Sequence, residues 1–325
     1  MGIANKKPVI CFAVGNIDYL DPIIVASNSF AEYNPDIELV VFVSDNSAEL
    51  FREKIKLRNI SFENYNDSRV DDFCRRHMAE FGEGLYAFDN SKMSSLFMAN
   101  SVLDTMISRY VDEYDVLIRL DMDVVFTNSI MPSVKNFIKS NCVVGSVMEH
   151  NHKLAIPMEN FKNPDIDNYM NAGCMMFRLN SNILRDHLSE GIYRIVKLGL
   201  SSCPFPDQDA LNLIYELYDK YDSTKDGWLI PMVEPSSYDG SEIIFIHYAS
   251  VTKPFNYTNK RNITWHILRD SYSYYKDCAV RYGCSDEFIE KISSVISSIK
   301  TQKDTMSDTV SRLQFRKIFK SMGIC

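Results

Sequence analysis

Two aspartates one residue apart, Asp121 and Asp123, lie near the end of the apolar run LIRLDMDVVF in the middle of the chain. We expect residues 117–126 to form a β-strand, and a strand directs residues i and i+2 to the same face. Both carboxylates can then reach one point, and carboxylate oxygen is the ligand that hard divalent cations prefer. The pair therefore predicts a metal site, although acids at strand ends often do no more than face solvent.

Small and polar residues accompany two other predicted strands. After the first strand, FAVGNIDYL places small residues at 13–15, where the backbone can approach a ligand, and Tyr19 where a nucleotide base can stack. In YMNAGCMMF, Ala172 and Gly173 leave room for a bulky ligand, and the amide of Asn171 can hydrogen-bond hydroxyl groups. The first segment is equally compatible with a plain strand-to-helix turn.

Two later segments add acids, an imidazole and an ammonium group. PFPDQDALN opens a predicted helix with Asp207, Gln208 and Asp209, and acids in a first helical turn are also ordinary capping residues. IIFIHYASVTKPF ends a predicted strand at His247, whose imidazole can be a third metal ligand, and reaches Lys253, whose ammonium group can hold a phosphate. A histidine after an apolar strand is also common without any ligand.

The predicted elements place these segments on an α/β sheet. Strands alternate with helices over the first ~125 residues, which predicts a doubly wound sheet with its parallel strands buried on both faces. In such sheets ligands bind at the carboxyl ends of the strands, where the two acids fall. The sequence predicts strands at 7–14, 38–44, 59–62, 117–126, 142–148, 173–179 and 242–248, and helices at 21–32, 47–57, 91–110, 206–218 and from 263 onward.

Charge and composition exclude some partners and predict a compartment. The 35 Lys and Arg residues against 43 Asp and Glu give a net charge of −8, which argues against nucleic acid as a partner. A short N-terminal apolar stretch, no apolar run that could span a membrane and eight cysteines without a CxxC pair predict a cytoplasmic protein. The predicted final helix, 307–322, bears Arg312, Arg316, Lys317 and Lys320, so we expect it either to dock on an anionic membrane or to pack, solvated, on the domain.

In this order the segments resemble glycosyltransferase family 8, the retaining enzymes that include glycogenin and bacterial lipopolysaccharide galactosyl- and glucosyltransferases. The resemblance covers about residues 9–255 and implies the GT-A fold, a Rossmann-like nucleotide-sugar-binding domain. The family's metal-binding DxD acids match Asp121 and Asp123, and its metal-binding histidine matches His247. Its other motif residues fall on Lys253, on residues 171–173, on residues 207–209 and on Tyr19, with Asp18 where an asparagine is usual.

The resemblance implies a reaction and a set of roles. The reaction is transfer of a hexose from a UDP-sugar to a hydroxyl of a glycan or glycolipid in surface polysaccharide or lipopolysaccharide assembly, with Mn²⁺ or Mg²⁺. Gln208 is implied to lie near the reacting carbon, and Asp207 and Asn171 to orient hydroxyls of the donor sugar. The implied catalytic set is Asp207, Gln208 and Asp209, the metal set is Asp121, Asp123 and His247, and the donor-binding set is Ala13, Val14, Asp18, Tyr19, Lys92, Asp121, Asn171, Ala172 and Lys253.

Three departures from the family pattern concern the donor. Ser250 replaces a glycine between His247 and Lys253, and Phe255 replaces the usual tryptophan. The helix before the acid pair often has a donor-contacting arginine in this family. Here that stretch has none, so we expect either that Lys92 takes its place or that the contact is absent.

We expect a GT-A domain over residues 1–262 and a helical region over residues 263–325. Two alternatives remain open. A haloacid-dehalogenase-type phosphatase would use Asp121 as its nucleophile, because DMDVV fits the DxDx[TV] pattern of that superfamily, although the motif there normally follows the first strand. A non-catalytic nucleotide-sugar-binding protein would keep the fold without the reaction.

Overall fold

A computed structural model of the chain describes residues 6–44, 46–65, 90–148, 169–179, 206–230, 242–249, 253–255 and 265–300. Only the backbone is described at residues 90–99, 206, 265–270 and 299–300. The predicted terminal helix at 307–322 lies outside the described residues.

A mixed sheet of seven strands forms the centre of the described structure. The strands are β1 (Lys7–Gly15), β2 (Leu39–Val43), β3 (Ile60–Asn64), β4 (Tyr114–Leu120), β6 (Val144–Met148), β7 (Met170–Arg178) and β8 (Lys220–Asp222), in the order β3-β2-β1-β4-β7-β6-β8. β1 is parallel to both β2 and β4, and β2 is parallel to β3. β7 runs antiparallel to β4 and to β6, so the sheet is not parallel throughout.

The inner strands of this sheet are buried on both faces, which explains their continuous apolar runs. Along β1, Cys11 and Ala13 face one hydrophobic core and Ile10 and Phe12 face the other. The described helices that cover the sheet and its edges are α1 (Leu20–Tyr33), α2 (Ala48–Lys54), α3 (Asn90–Tyr110), α4 (Met131–Ser140), α5 (Pro206–Ile214), α6 (Trp265–Arg281) and α7 (Asp286–Lys300). Residues of α1, α6 and α7 pack in the first core, and residues of α3 and α5 pack in the second. The α/β prediction is confirmed.

A second, three-stranded sheet changes the expected setting of the two acids. It consists of β5 (Val124–Phe126), β10 (Phe245–His247) and β9 (Trp228–Leu229), in that order. β4 ends at Leu120 in the large sheet, and β5 begins at Val124 in the small one. The prediction of one strand over residues 117–126 is therefore wrong, because the acids lie in the connection between two sheets and not on the face of a strand.

Two other predicted boundaries also differ. β7 begins at Met170, not at Gly173, so Asn171 and Ala172 lie inside the strand. β10 covers only residues 245–247 of the strand that was predicted at 242–248. None of the helices in the described part of the chain combines the length and apolar character needed to cross a membrane.

The C-terminal helices pack directly on the first core and on α1. Tyr272 and Tyr275 of α6 are fully buried, and the hydroxyl of Tyr248 donates a hydrogen bond to the carbonyl of Ser271. At the start of α7, the amide and hydroxyl of Ser285 both donate to the carboxylate of Asp21, near the beginning of α1. Contacts of this kind hold the end of the described chain against the region that follows β1.

Gly227 determines how β9 approaches β10. Its φ of +87° lies in the left-handed region, and a Cβ there would lie 2.1 Å from the carbonyl oxygen of Glu242. The carbonyl of Gly227 accepts a hydrogen bond of 2.9 Å from the amide of Ile244, just before β10. Gly283 has a similar φ of +74° but no atom within 4 Å of its missing Cβ.

These two glycines provide a matched pair for testing the close approach. We expect Gly283→Ala to lower the free energy of unfolding by about 1–2 kcal/mol, the cost of a left-handed L-residue. We expect Gly227→Ala to cost about 1–3 kcal/mol more, because the added methyl group overlaps backbone. Urea unfolding followed by tryptophan fluorescence measures both values, and equal losses would contradict the proposed steric constraint.

Candidate active site

Three side chains from two distant segments meet beside the carboxyl end of β4. Asp121 follows β4, Asp123 precedes β5, and His247 ends β10. One ligand atom from each lies within 4.8 Å of the other two. The Nε2 atom of His247 is 3.1 Å from Oδ1 of Asp123 and 3.4 Å from Oδ2 of Asp121. The sequence-predicted metal residues are thus brought together in the fold.

Backbone hydrogen bonds hold this group in place from three strands. The amide of Asp121 donates to the carbonyl of Gly173 in β7 at 2.6 Å, and the amide of Tyr248 donates to the carbonyl of Asp123 at 2.9 Å. His247 lies opposite Val124 in the antiparallel pairing of β10 with β5. The two acids are consequently fixed at their backbone although they do not lie on a strand.

The group fits one divalent cation. Oδ1 of Asp123 and Nε2 of His247 are both buried, and neither has a hydrogen-bond partner in the described part of the chain, because the two atoms are close but not aligned as a hydrogen bond. Unpartnered buried polar atoms of this kind are costly, and a bound cation would give both of them a partner. A Cβ at Gly173 would lie 2.1 Å from Cε1 of His247 and 2.7 Å from Oδ2 of Asp121. Only a glycine leaves this space open.

Lys253 completes the electrostatics of the group. Its ammonium nitrogen lies 2.9 Å from Oδ2 of Asp123, the oxygen that faces away from His247. Burial alone would raise the pKa of Asp123, but the charges of His247 and Lys253 and their contacts lower it overall. Burial alone would lower the pKa of His247, but the charges of Asp123 and Asp121 raise it overall. The pKa of Lys253 is likewise raised by Asp123 against the effect of burial.

An aromatic group adjoins Lys253 on the side of the β1 loop. The ammonium nitrogen lies 5.0 Å from the ring centroid of Tyr19 and 3.4 Å from its hydroxyl. Phe255 contacts Tyr19 edge-on with centroids 6.1 Å apart, and it packs against Phe288 of α7 at 5.3 Å. Tyr19 and Lys253 therefore lie together next to Asp121, Asp123 and His247.

The remaining residues predicted to bind the donor have more varied settings. Ala13 is fully buried in the first core, whereas Val14 is partly buried against the second. Asp18 is exposed in a short 3₁₀ helix of one turn, Ile17–Tyr19. Lys92 lies in the backbone-only part of α3, and Ser250 falls among the residues that the structure does not describe, so the predictions for their side chains fall outside it.

A second polar group lies where the start of α5 meets β7. The side-chain oxygen Oε1 of Gln208 accepts a hydrogen bond of 3.0 Å from the backbone amide of Ala172, and Oδ1 of Asn171 accepts one from the backbone amide of Gly173. The hydroxyl of Tyr169 donates to Oδ1 of Asp209, which is buried. The residues predicted from NAG and from PDQD are therefore neighbours, and the described interactions of Asp209 lie within the protein.

Two polar residues that contact the candidate site were not identified from the sequence. Arg119 of β4 donates a hydrogen bond of 2.9 Å to Oδ2 of Asp207, and Asn212 of α5 bonds both the amide and the carbonyl of Met170. The pKa of Arg119, which burial alone would lower, is raised by the charges of Asp207 and Asp121. A single charged residue inside the apolar run VLIRL was the available signal for Arg119. Asn212 had no comparable signal.

The raised pKa of His247 gives a prediction for the metal-free protein. We expect the imidazole to titrate above the ordinary value of about 6.5, and Asp123→Asn to lower that pKa because it removes the larger attractive charge. The stability that this ion pair contributes should be complete between pH about 4 and about 6.5, and should be lost as pH rises through the raised pKa of His247 or falls through the lowered pKa of Asp123. NMR titration in the presence of a chelator measures the pKa of His247. The signal of this imidazole is assigned by its loss in His247→Asn. A pKa of His247 that is ordinary and does not change in Asp123→Asn would contradict the proposed coupling.

Comparisons with known proteins agree with this geometry. The family model described as glycosyl transferase family 8 matches residues 10–259. No curated protein matches the sequence. The fold is similar to galactosyltransferase LgtC in complex with donor and acceptor sugar analogues, with a TM-score of 0.52 at 16% identity, covering 91% of this chain and 98% of that one.

Two further structures share the fold at low identity. An active-site mutant of LgtC, in which a glutamine is replaced by glutamate, has a TM-score of 0.57 at 17% identity, covering 87% of this chain and 99% of that one. The glycosyltransferase GlyE of Streptococcus pneumoniae has a TM-score of 0.52 at 14% identity, covering 93% and 66%. Since the family match spans well over half of the sequence and the fold is GT-A, the chain belongs to glycosyltransferase family 8.

Proposed function

We propose that this glycosyltransferase moves a hexose from a UDP-sugar to a hydroxyl of a glycan or glycolipid acceptor, with retention at the anomeric carbon and with Mn²⁺ or Mg²⁺ as its metal. The observation that supports this most is the convergence of Asp121, Asp123 and His247 next to Lys253. Two carboxylates, an imidazole and an adjacent ammonium group suit a metal that itself contacts a diphosphate.

The charges of the site would act on the leaving diphosphate. Asp121, Asp123 and His247 would hold the metal, which supplies Lewis-acid stabilisation of the negative charge that develops as UDP departs. Lys253 is already oriented by Oδ2 of Asp123, and its fixed positive charge would stabilise the same oxygens without reorganisation. Its contact with the Tyr19 ring supports this proposal, because a diphosphate held by Lys253 would lie beside the residue proposed to stack on the base of the nucleotide.

The second polar group would bind the donor sugar. Asp207 and Asn171 would accept and donate hydrogen bonds to sugar hydroxyls, and Gln208 would lie near the reacting carbon. The carbonyl oxygen of Gln208 is oriented by the amide of Ala172, and an amide is a poor nucleophile. A front-face substitution through an ion-pair-like transition state therefore fits this glutamine better than a covalent intermediate. A glutamine is also the residue changed in the LgtC active-site mutant.

The phosphatase alternative fits this arrangement less well. Asp121 follows β4, the fourth strand along the chain, whereas the phosphatase motif normally follows the first strand. That alternative also gives no role to His247 and Lys253, which contact Asp123 directly. A non-catalytic nucleotide-sugar-binding protein would have the same site, so only a measurement of turnover distinguishes it from the proposed enzyme.

The proposed reaction is tested by a hydrolysis screen, because slow attack by water reveals the donor before the acceptor is known. We expect one UDP-sugar to be hydrolysed in the presence of Mn²⁺ and not in a chelator. Asp123→Ala should reduce this turnover by at least about a hundredfold, since it removes a metal ligand and the partner of Lys253.

Asp36→Ala provides the control, because Asp36 is an exposed acid away from the site and its loss should leave turnover unchanged. Thermal melting checks that Asp123→Ala is folded. Normal Mn²⁺-dependent turnover by Asp123→Ala would refute the metal role. If the protein hydrolyses a phosphate ester with Mg²⁺ but hydrolyses no UDP-sugar, the phosphatase alternative is favoured. If it binds a UDP-sugar but neither hydrolyses nor transfers it, the non-catalytic alternative is favoured.

We further propose that the acceptor is membrane-held and that the basic terminal segment docks the enzyme on the inner face of the membrane. The proposal rests on sequence alone, since residues 307–322 lie outside the described part of the chain. Each of the four basic residues would contribute about 1 kcal/mol near an anionic surface.

Vesicle flotation tests this docking. We expect the full chain to float with phosphatidylglycerol vesicles and not with phosphatidylcholine vesicles, and a chain truncated before Ser307 to remain at the bottom. A full-length variant with Arg312, Arg316, Lys317 and Lys320 changed to glutamate is the matched control for charge. Unchanged flotation of the truncated chain would reject the segment as the anchor.

A further inference from the structure

A buried arginine inside the central strand β4 is the most unusual charged group of the described structure. Arg119 is only 8% exposed and lies between Ile118 and Leu120, which are almost completely buried. Burying a guanidinium group costs several kcal/mol unless it is paired. A position that pairs with Phe12 and Met175 in the neighbouring strands would ordinarily hold an apolar residue.

The guanidinium group reaches from the sheet to the first turn of α5. Strand alternation places Arg119 on the face shared with Leu117, which is the face that α5 covers. There one terminal nitrogen donates a hydrogen bond of 2.9 Å to Oδ2 of Asp207. This is a charge-assisted contact between side chains that are 10% and 22% exposed, so water screens it less than it would screen a surface pair.

The contact leaves the second oxygen of Asp207 available. In the described part of the chain, Oδ1 of Asp207 accepts no hydrogen bond, whereas Oδ2 is held by Arg119. The next two residues of α5 are differently engaged, since Gln208 accepts from Ala172 and Asp209 from Tyr169. The first turn of α5 is therefore attached to β4 through Asp207. Gln208 attaches it to β7, and Asp209 attaches it to the residue just before β7.

We propose that Arg119 is a positioning residue for the donor sugar, acting through Asp207. By fixing Oδ2 it orients the carboxylate so that Oδ1 remains free to accept a hydrogen bond from a hydroxyl of the UDP-sugar. This inference rests on the proposed function, because it requires that Asp207 contacts the sugar. Arg119 contributes to recognition of the hexose and not to recognition of the UDP part.

The proposal predicts a selective loss of affinity. With Mn²⁺ present, calorimetry is used to measure the dissociation constants of UDP and of the UDP-sugar found in the hydrolysis screen. We expect Arg119→Met to weaken binding of the UDP-sugar by on the order of tenfold, because a charge-assisted hydrogen bond no longer orients Asp207. We expect the affinity for UDP to change by less than about twofold, since the hydrogen bond of Arg119 goes to Asp207 and only its charge reaches Asp121.

A double-mutant cycle separates this role from a merely structural one. In the Asp207→Asn background, Arg119→Met should have little further effect on UDP-sugar affinity, because both changes remove the same interaction. Arg119→Lys keeps the charge but not the planar fork, so it should restore part of the affinity. If Arg119→Met is too unstable for calorimetry, Arg119→Lys should still show a loss confined to the UDP-sugar.

Arg178 of β7 provides a matched control. It pairs with Val116 of β4, and its guanidinium group donates to the carbonyl oxygens of Phe137, Ile138 and Cys142. Arg178→Met should lower the melting temperature without changing the ratio of UDP-sugar to UDP affinity. An unchanged ratio in Arg119→Met, or additive effects of Arg119→Met and Asp207→Asn, would overturn the role of Arg119 alone. A wild-type chain that binds no UDP-sugar would overturn both this role and the proposed function.

Discussion

The burial of a carboxylate is the constraint on which the rest of the site depends. The side chain of Asp123 is only 5% exposed, and a buried charge without compensation destabilises a protein by several kcal/mol. Compensation comes from two different directions, with His247 near one oxygen and Lys253 near the other. Both residues come from the last strand of the small sheet or from the segment after it, so the acids from the middle of the chain depend on its later part for their charge balance.

This constraint explains why the chain leaves one sheet and enters another at the acid pair. A continuous strand would place Asp121 and Asp123 on one face, but it would leave no second sheet from which His247 could approach. The connection between β4 and β5 instead presents both carboxylates to β10, and the backbone of β7 accepts a hydrogen bond from the amide of Asp121. Gly173 is the price of this close approach, since any side chain there would occupy the space between the imidazole and Asp121.

A second network of buried polar groups fixes the position of α5. Asn212 bonds the backbone of Met170 in both directions, Gln208 bonds the amide of Ala172, and Arg119 bonds Asp207. Buried networks of this kind rigidify a structure when their members are paired. On the other side of the site, the aromatic contacts from Tyr19 through Phe255 to Phe288 connect the β1 loop to α7. The candidate site is thus surrounded by groups that other residues of the protein hold in place.

Local patterns in the sequence were sufficient for the α/β class, because strands buried on both faces appear as continuous apolar runs and helices as periodic ones. The sequence also pointed to Asp121, Asp123, His247, Lys253 and Tyr19, which the fold brings together, since their chemical types are informative and their order matches a known family.

The sequence did not determine that the acids lie between two sheets or that β7 runs antiparallel, because strand pairing depends on contacts between residues distant along the chain. For the same reason the partnership of Arg119 with Asp207, 88 residues apart, came only from the tertiary structure. Residue type and spacing determined which chemical groups are available. Packing decided which of these groups interact, because a salt bridge or a metal site depends on distances in space that no local sequence pattern contains.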